Sequence, residues 1–230
     1  SSMNEISIKT SDLESNSISK NLLNELTNPS IDLSIDYAEM FIDDLLENEA
    51  LKEIPLVKSV VGVINGGISI NQFWFAKKLL TFIREFNSGT VEVKMIEKYR
   101  KKLKDQKYSK RIAEKIMVFI DRNIEITQTK IIANLFVAYV NEKISYEDFN
   151  NVVITLDKLN PKAYNAFFEM EKFGFTITEK NHKEIGERNH EMESLINNSG
   201  FSLDNSVWFA GFSLTNDGNI LFNYGLKPLQ

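Results

Sequence analysis

The sequence has no cysteine, only four prolines and only two histidines in 230 residues. The first absence excludes disulfides and thiolate chemistry, and it fits a cytoplasmic location. The histidines, His182 and His190, stand eight residues apart in a polar helical pattern. Eight helical residues rise ~12 Å, too far for both rings to hold one metal ion on a straight helix. Both read as exposed surface residues. The nucleophile elbow, the phosphate-binding loop and the dinucleotide fingerprint are also missing. No cofactor, metal or small-molecule substrate is therefore expected. The N-terminus is polar and lacks the apolar stretch of a secretion signal.

A true membrane span is missing as well. The longest uncharged run, residues 59–76, has 18 residues. A bilayer helix needs ~20 mostly apolar residues. Asn65, Ser69, Asn71 and Gln72 would carry polar groups into hydrocarbon, and Gly66-Gly67 interrupts the helix. The run reads as two helices meeting at a glycine break, with Gly62, Gly66 and Gly67 as hinge. The first covers residues 56–64. The second starts at an N-cap, Ser69, and continues to about Phe86. A glycine-broken apolar pair closed by Lys77-Lys78 is expected to be the buried hub of a helical domain. Its alternative role is contact with a membrane or partner through Trp74, Lys77 and Lys78.

What is present is an ordinary globular composition, 43% apolar and 26% charged, with a net charge of −5. That net charge disfavours nucleic acid as the main partner. The charge is unevenly placed. Residues 32–49 hold seven carboxylates and no lysine or arginine, interleaved with Ile35, Ala38, Phe41, Ile42, Leu45 and Leu46. They read as one acidic amphipathic helix, and Pro55 ends the turn that follows it. Residues 91–106 turn basic, and the cations continue beyond a kink. Lys98, Arg100, Lys101, Lys102, Lys104, Lys107, Lys110 and Arg111 form the candidate anion-binding set. They suit phosphates or an acidic membrane surface, or they lie beside the acidic helix.

Further helices are expected at residues 109–122, from Thr127 onward, and from Ser145 with a capping box to Asp148. Another follows Asn160-Pro161 and ends near Gly174. The ISYEDF phrase at residues 144–149 has no calcium loop behind it. Past Gly174, residues 175–178 read as a strand and residues 179–198 as a polar helix. Residues 207–215 alternate as a strand, residues 216–219 form a hairpin turn, and residues 220–224 return. The fold expected is mostly α. An N-terminal tail covers residues 1–16 and an antiparallel multi-helix domain residues 17–174. A small α+β module with a β-hairpin fills residues 175–230.

Two resemblances follow from particular residues. Leu214, Thr215, Gly218 and Leu221, set after a helix and a glycine, resemble the wing of winged-helix modules. The resemblance covers about 50 residues. The helix it would lay in the major groove carries Glu179, Glu184, Glu187, Glu191 and Glu193 against Lys180, Lys183 and Arg188. Phosphates repel such a surface, so the module is expected to serve protein contact. Separately, Ile54, Pro55, Gly62, Lys77, Lys78, Leu79, Leu80, Phe82, Ile144 and Phe149 resemble a recurring pattern of uncharacterised bacterial helical proteins over residues 50–150. That resemblance implies an accessory or effector component, in the setting of anti-phage defence. The function expected is a non-enzymatic interaction protein, with a protein partner or self-association and membrane association as a variant. The alternative is a nucleic-acid-associated regulator using the basic helix and a C-terminal β-ribbon.

Overall fold

The computed structural model describes residues 16–62, 67–172, 195–196, 199–204 and 212–230. Most of these are helical. The chain divides into two compact units, residues 1–133 and 134–230. The N-terminal tail, Gly66, both histidines, the strand expected at 175–178 and nearly all of the polar helix at 179–198 lie outside the described residues, as does the boundary expected at 174.

The first unit opens with helix α1, residues 16–27. Buried Glu25 accepts from the Ser30 amide at 2.7 Å, which fixes the chain as it leaves α1. The acidic segment that follows is not one helix. It breaks into a 3₁₀ turn, Tyr37–Glu39, then α2 (Ile42–Glu47) and α3 (Glu49–Glu53). The cause is local competition for backbone donors. Asp36 accepts from Ala38 N, Asp44 takes the Phe41 amide at 2.6 Å, and Asn48 accepts from Leu51 N. Asp36 and Asn48 are fresh N-caps, and Asp44 reaches back from the third position of α2 to its N-cap amide, so each restarts the helix. Pro55 is the first residue of α4 (Pro55–Val61), one residue ahead of the helix expected from residue 56, and its missing N–H costs nothing there.

Helix α5 (Ile70–Ser88) is the organising element. Ser69 caps it through Gln72 N, while the Gln72 side chain returns to the Ser69 amide at 3.1 Å. This reciprocal cap is worth about 1 kcal/mol. From Ala76 to Ile83 every residue is buried, and Phe82 and Phe86 are shielded on all sides. Full burial of a large apolar side chain contributes about 1.5–3 kcal/mol. The centre of burial thus lies later than residues 59–76. Val60, Val61, Phe73 and Ala76 are inside, whereas Gly62, Gly67, Ile70 and Trp74 are exposed.

Helices α6 (Val93–Lys102) and α7 (Gln106–Arg122) follow. The second starts three residues before the expected Ser109, because Asp105 accepts from Lys107 N and Tyr108 N. The unit closes with the first half of α8 (Ile126–Val140), whose Ile131, Ile132 and Ala133 are buried.

In the second unit, Phe136 and Tyr139 of α8 meet Tyr146 and Phe149 of α9 (Tyr146–Leu156) at centroid separations of 5.5–6.4 Å. Ser145 and Asp148 cap α9 reciprocally, as the sequence implies. Asn160 caps a 3₁₀ turn opened by Pro161, and α10 (Tyr164–Glu171) continues from it. A short antiparallel pair joins β1 (Ser202–Asp204) to β2 (Phe212–Leu214), with Ser202 opposite Leu214.

The hairpin expected at residues 207–224 is overturned in its second half. Residues 216–219 are not a turn and residues 220–224 are not a strand. Thr215 accepts from Gly218 N at 3.0 Å and so caps a helix, Asn216–Ile220, which runs on as a π-helical turn, Leu221–Leu226. Gly218 is required there. A Cβ at this position would lie 2.1 Å from the Phe201 carbonyl oxygen.

Candidate anion-docking surface

Three groups of residues carry the candidate chemistry. The cationic set lies on α6, on the turn at residues 103–105 and on the first half of α7. All eight members, from Lys98 to Arg111, are exposed. Residues 92–115 hold ten lysines and arginines against four carboxylates, a net +6. One side chain, Tyr99, anchors α6: it is buried and meets Tyr108 edge-on at 6.4 Å. The Lys102 ammonium stands 4.8 Å from the centre of the Tyr108 ring. Arg100 donates to the Thr27 carbonyl at the end of α1, where a cation suits the helix dipole. Lys110 lies 3.8 Å from Glu114. Lys101, Lys104 and Lys107 have no carboxylate in reach among the described residues.

The second group is Trp74, Lys77 and Lys78. Only Trp74 reaches the surface, at 42% exposure. Lys77 is buried against it, with its ammonium 4.9 Å from the ring centre. Lys78 points inward and donates at 2.9 Å to the carbonyls of both Asp121 and Asn123. It therefore satisfies the end of α7, where helix carbonyls lack partners and a positive charge is favoured. Burial holds its pKa below the usual lysine value, and the Asp121 carboxylate partly offsets this. No sequence signal pointed to this role, because the partners lie more than forty residues downstream.

The third group is the hinge. Gly62 ends α4 with φ 70°, and its amide still donates to Lys58 O at 2.8 Å. Gly67 has φ 112°. Both backbones occupy the region that favours glycine.

The acidic segment, residues 32–53, carries eight carboxylates and one lysine, net −7. Its carboxylates are mostly engaged locally: Asp32 with Ser34, Asp44 with the Phe41 amide, Glu49 with Lys52 and Glu53 with Lys58. The Ser34 hydrogen bonds lower the Asp32 pKa. Glu39, Asp43 and Glu47 are exposed and have no cation in reach among the described residues. Phe41 stands beside them at 72% exposure. Behind this segment Tyr37 is fully buried and donates to Asp32 O at 3.0 Å. Burial, then the Asp32 carboxylate, pushes its pKa up to about 12.

Among the described residues no three histidine, aspartate or glutamate side chains gather as a metal site, and no helix is long and apolar enough to cross a membrane. The arrangement presents an exposed cationic face and an exposed acidic segment. No known protein family matches the chain, nor does any curated protein or solved structure.

Proposed function

We propose that this chain is a non-enzymatic interaction protein that docks an acidic protein partner through the α6–α7 face. The supporting observation is the trio Lys101, Lys104 and Lys107, exposed and without a carboxylate, on a helix pair held by buried Tyr99. Charges left unpaired at a surface steer an oppositely charged partner and set its orientation. The antiparallel arrangement of helices belongs to this reading. Gln72 at the start of α5 reaches Val60 O at the end of α4, and Lys78 reaches the end of α7. An accessory or effector role, in line with the resemblance over residues 50–150, fits such a docking protein.

A nucleic-acid partner is the second reading, favoured by the lysine-flanked Tyr108. The −7 segment in the same unit opposes it, since a long phosphate chain must avoid that segment. Release of the hairpin at residues 56–83 into a membrane has less behind it, because Val60, Val61, Phe73 and Ala76 are core residues.

Fluorescence anisotropy with a labelled glutamate-rich peptide and with labelled single-stranded DNA, across salt, tests this. Peptide binding that the triple change Lys101→Glu, Lys104→Glu, Lys107→Glu weakens at least about tenfold is expected. DNA binding tighter than peptide binding, with a steep salt slope, selects the second reading. No binding of either ligand at low salt refutes both.

A further inference from the structure

Among the described residues each exposed charged trio lacks a partner of opposite sign. Lys101, Lys104 and Lys107 carry three unpaired positive charges, and Glu39, Asp43 and Glu47 carry three unpaired negative ones. The acidic segment makes two ion pairs outside itself among the described residues, Glu53 with Lys58 at 2.5 Å and Asp36 with Lys130 at 3.9 Å, and none to the cations of residues 92–115. The acidic trio also has an exposed apolar neighbour, Phe41.

From this complementarity we propose that the α6–α7 face of one molecule docks on the acidic segment of a second copy, around Phe41. The pairing rests on reading α6–α7 as a protein-docking face, and it names the partner.

The chemistry suits a protein contact. An exposed aromatic ringed by charges is the usual form of an interface centre, with a polar rim that sets the register. Asp43 and Glu47 are four residues apart on α2 and so share one helical face, while Lys101 lies in the last turn of α6 and Lys104 stands in the turn that follows it. Because the two faces differ, the contact is heterologous. A joined pair leaves one molecule with a free acidic face and the other with a free basic one, so copies add head to tail into a ring or an open chain. Two charged, partly solvated faces give a weak contact that salt dissolves.

Sedimentation velocity over a concentration series, in about 50 mM and about 500 mM salt, tests this. The wild type is expected to show a sedimentation coefficient that rises with concentration at low salt, with association weakened at least tenfold at high salt. The triple Lys101→Glu, Lys104→Glu, Lys107→Glu and the triple Glu39→Lys, Asp43→Lys, Glu47→Lys are each expected to sediment as monomers. An equimolar mixture of the two triples is expected to associate again, because each then offers the charge the other lacks. All six positions are exposed, so circular dichroism should match the wild type.

Three results overturn the proposal: a wild type that stays monomeric at every concentration in low salt, association that survives either triple, or association that disappears after nuclease treatment. A monomer that still binds the glutamate-rich peptide through α6–α7 removes self-association alone. A monomer that binds no acidic peptide removes the docking face too.

Discussion

The ammonium of Lys78 lies 2.9 Å from the carbonyl oxygen of Asn123, a buried residue just past the end of α7. One side chain of α5 thereby closes the end of another helix and fixes the packing of α5 on α7.

Lys78→Met keeps the aliphatic stem and removes both donors. It is expected to lower stability by about 1–3 kcal/mol, because the Asn123 carbonyl stays buried without a partner. Urea denaturation measures this. The pH dependence has a definite sign. The folded-state pKa of Lys78 lies below 10.5, so the unfolded chain binds more protons in the alkaline window. Stability of the wild type relative to Lys78→Met should therefore rise as pH climbs through that window towards 10.5. A gap that narrows there would contradict the burial of a charged amine.

Tyr37 gives the opposite slope. Its pKa is raised from 10.0 to about 12, so its contribution is complete below pH 10.0 and is lost as pH rises through about 12. Across that window the wild type should lose stability faster than Tyr37→Phe. Chemical denaturation of both proteins at a series of alkaline pH values provides the comparison.

Much of this was readable from local sequence, and the reason is the range of the interactions. The caps Ser69–Gln72 and Ser145–Asp148 act over three residues, so their letters suffice. Phe149, Val152, Val153 and Leu156 follow helical spacing and are buried as that spacing requires. The acidic stretch misled because its apolar stripe is helical in period, while Asp36, Asp44 and Asn48 turn their side chains onto nearby amides. The same letters that make it acidic break it. At Asn216-Asp217-Gly218, a strong turn sequence is overridden by Thr215 acting as cap and by the packing of Gly218 under Phe201. By sequence Lys78 closes a buried hub or joins Trp74 in a membrane or partner contact, since nothing near it in sequence reveals Asp121 or Asn123.

Gly218→Ala is expected to cost at least ~2 kcal/mol and to lower the thermal midpoint. Its methyl group would sit 2.1 Å from the Phe201 carbonyl oxygen, a backbone atom that cannot swing aside. Thr215→Ala, which removes only the cap, should cost about 1 kcal/mol. Equal losses from the two changes would show that the close approach is not maintained in solution.

Asp217 offers a stabilising substitution. Burial, and then the Asp148 carboxylate, raise its pKa above 3.8, so its ionised form is held at a disadvantage. Its favourable contribution exists below 3.8 and is lost as pH rises through the folded-state value. Asp217→Asn should therefore raise the thermal midpoint near neutral pH, with the gain fading in acid. Thermal melts at neutral and acidic pH decide it, and a midpoint that falls at neutral pH counts against it.

The two lysine environments differ in chemical accessibility. Lys101, Lys104 and Lys107 present their amines to water, whereas Lys78 is enclosed and bonded. An acylating reagent should label the first three within its ordinary reaction time and reach Lys78 only when the end of α7 opens. The extent of Lys78 acylation, read by mass spectrometry, then becomes a covalent clock for that opening.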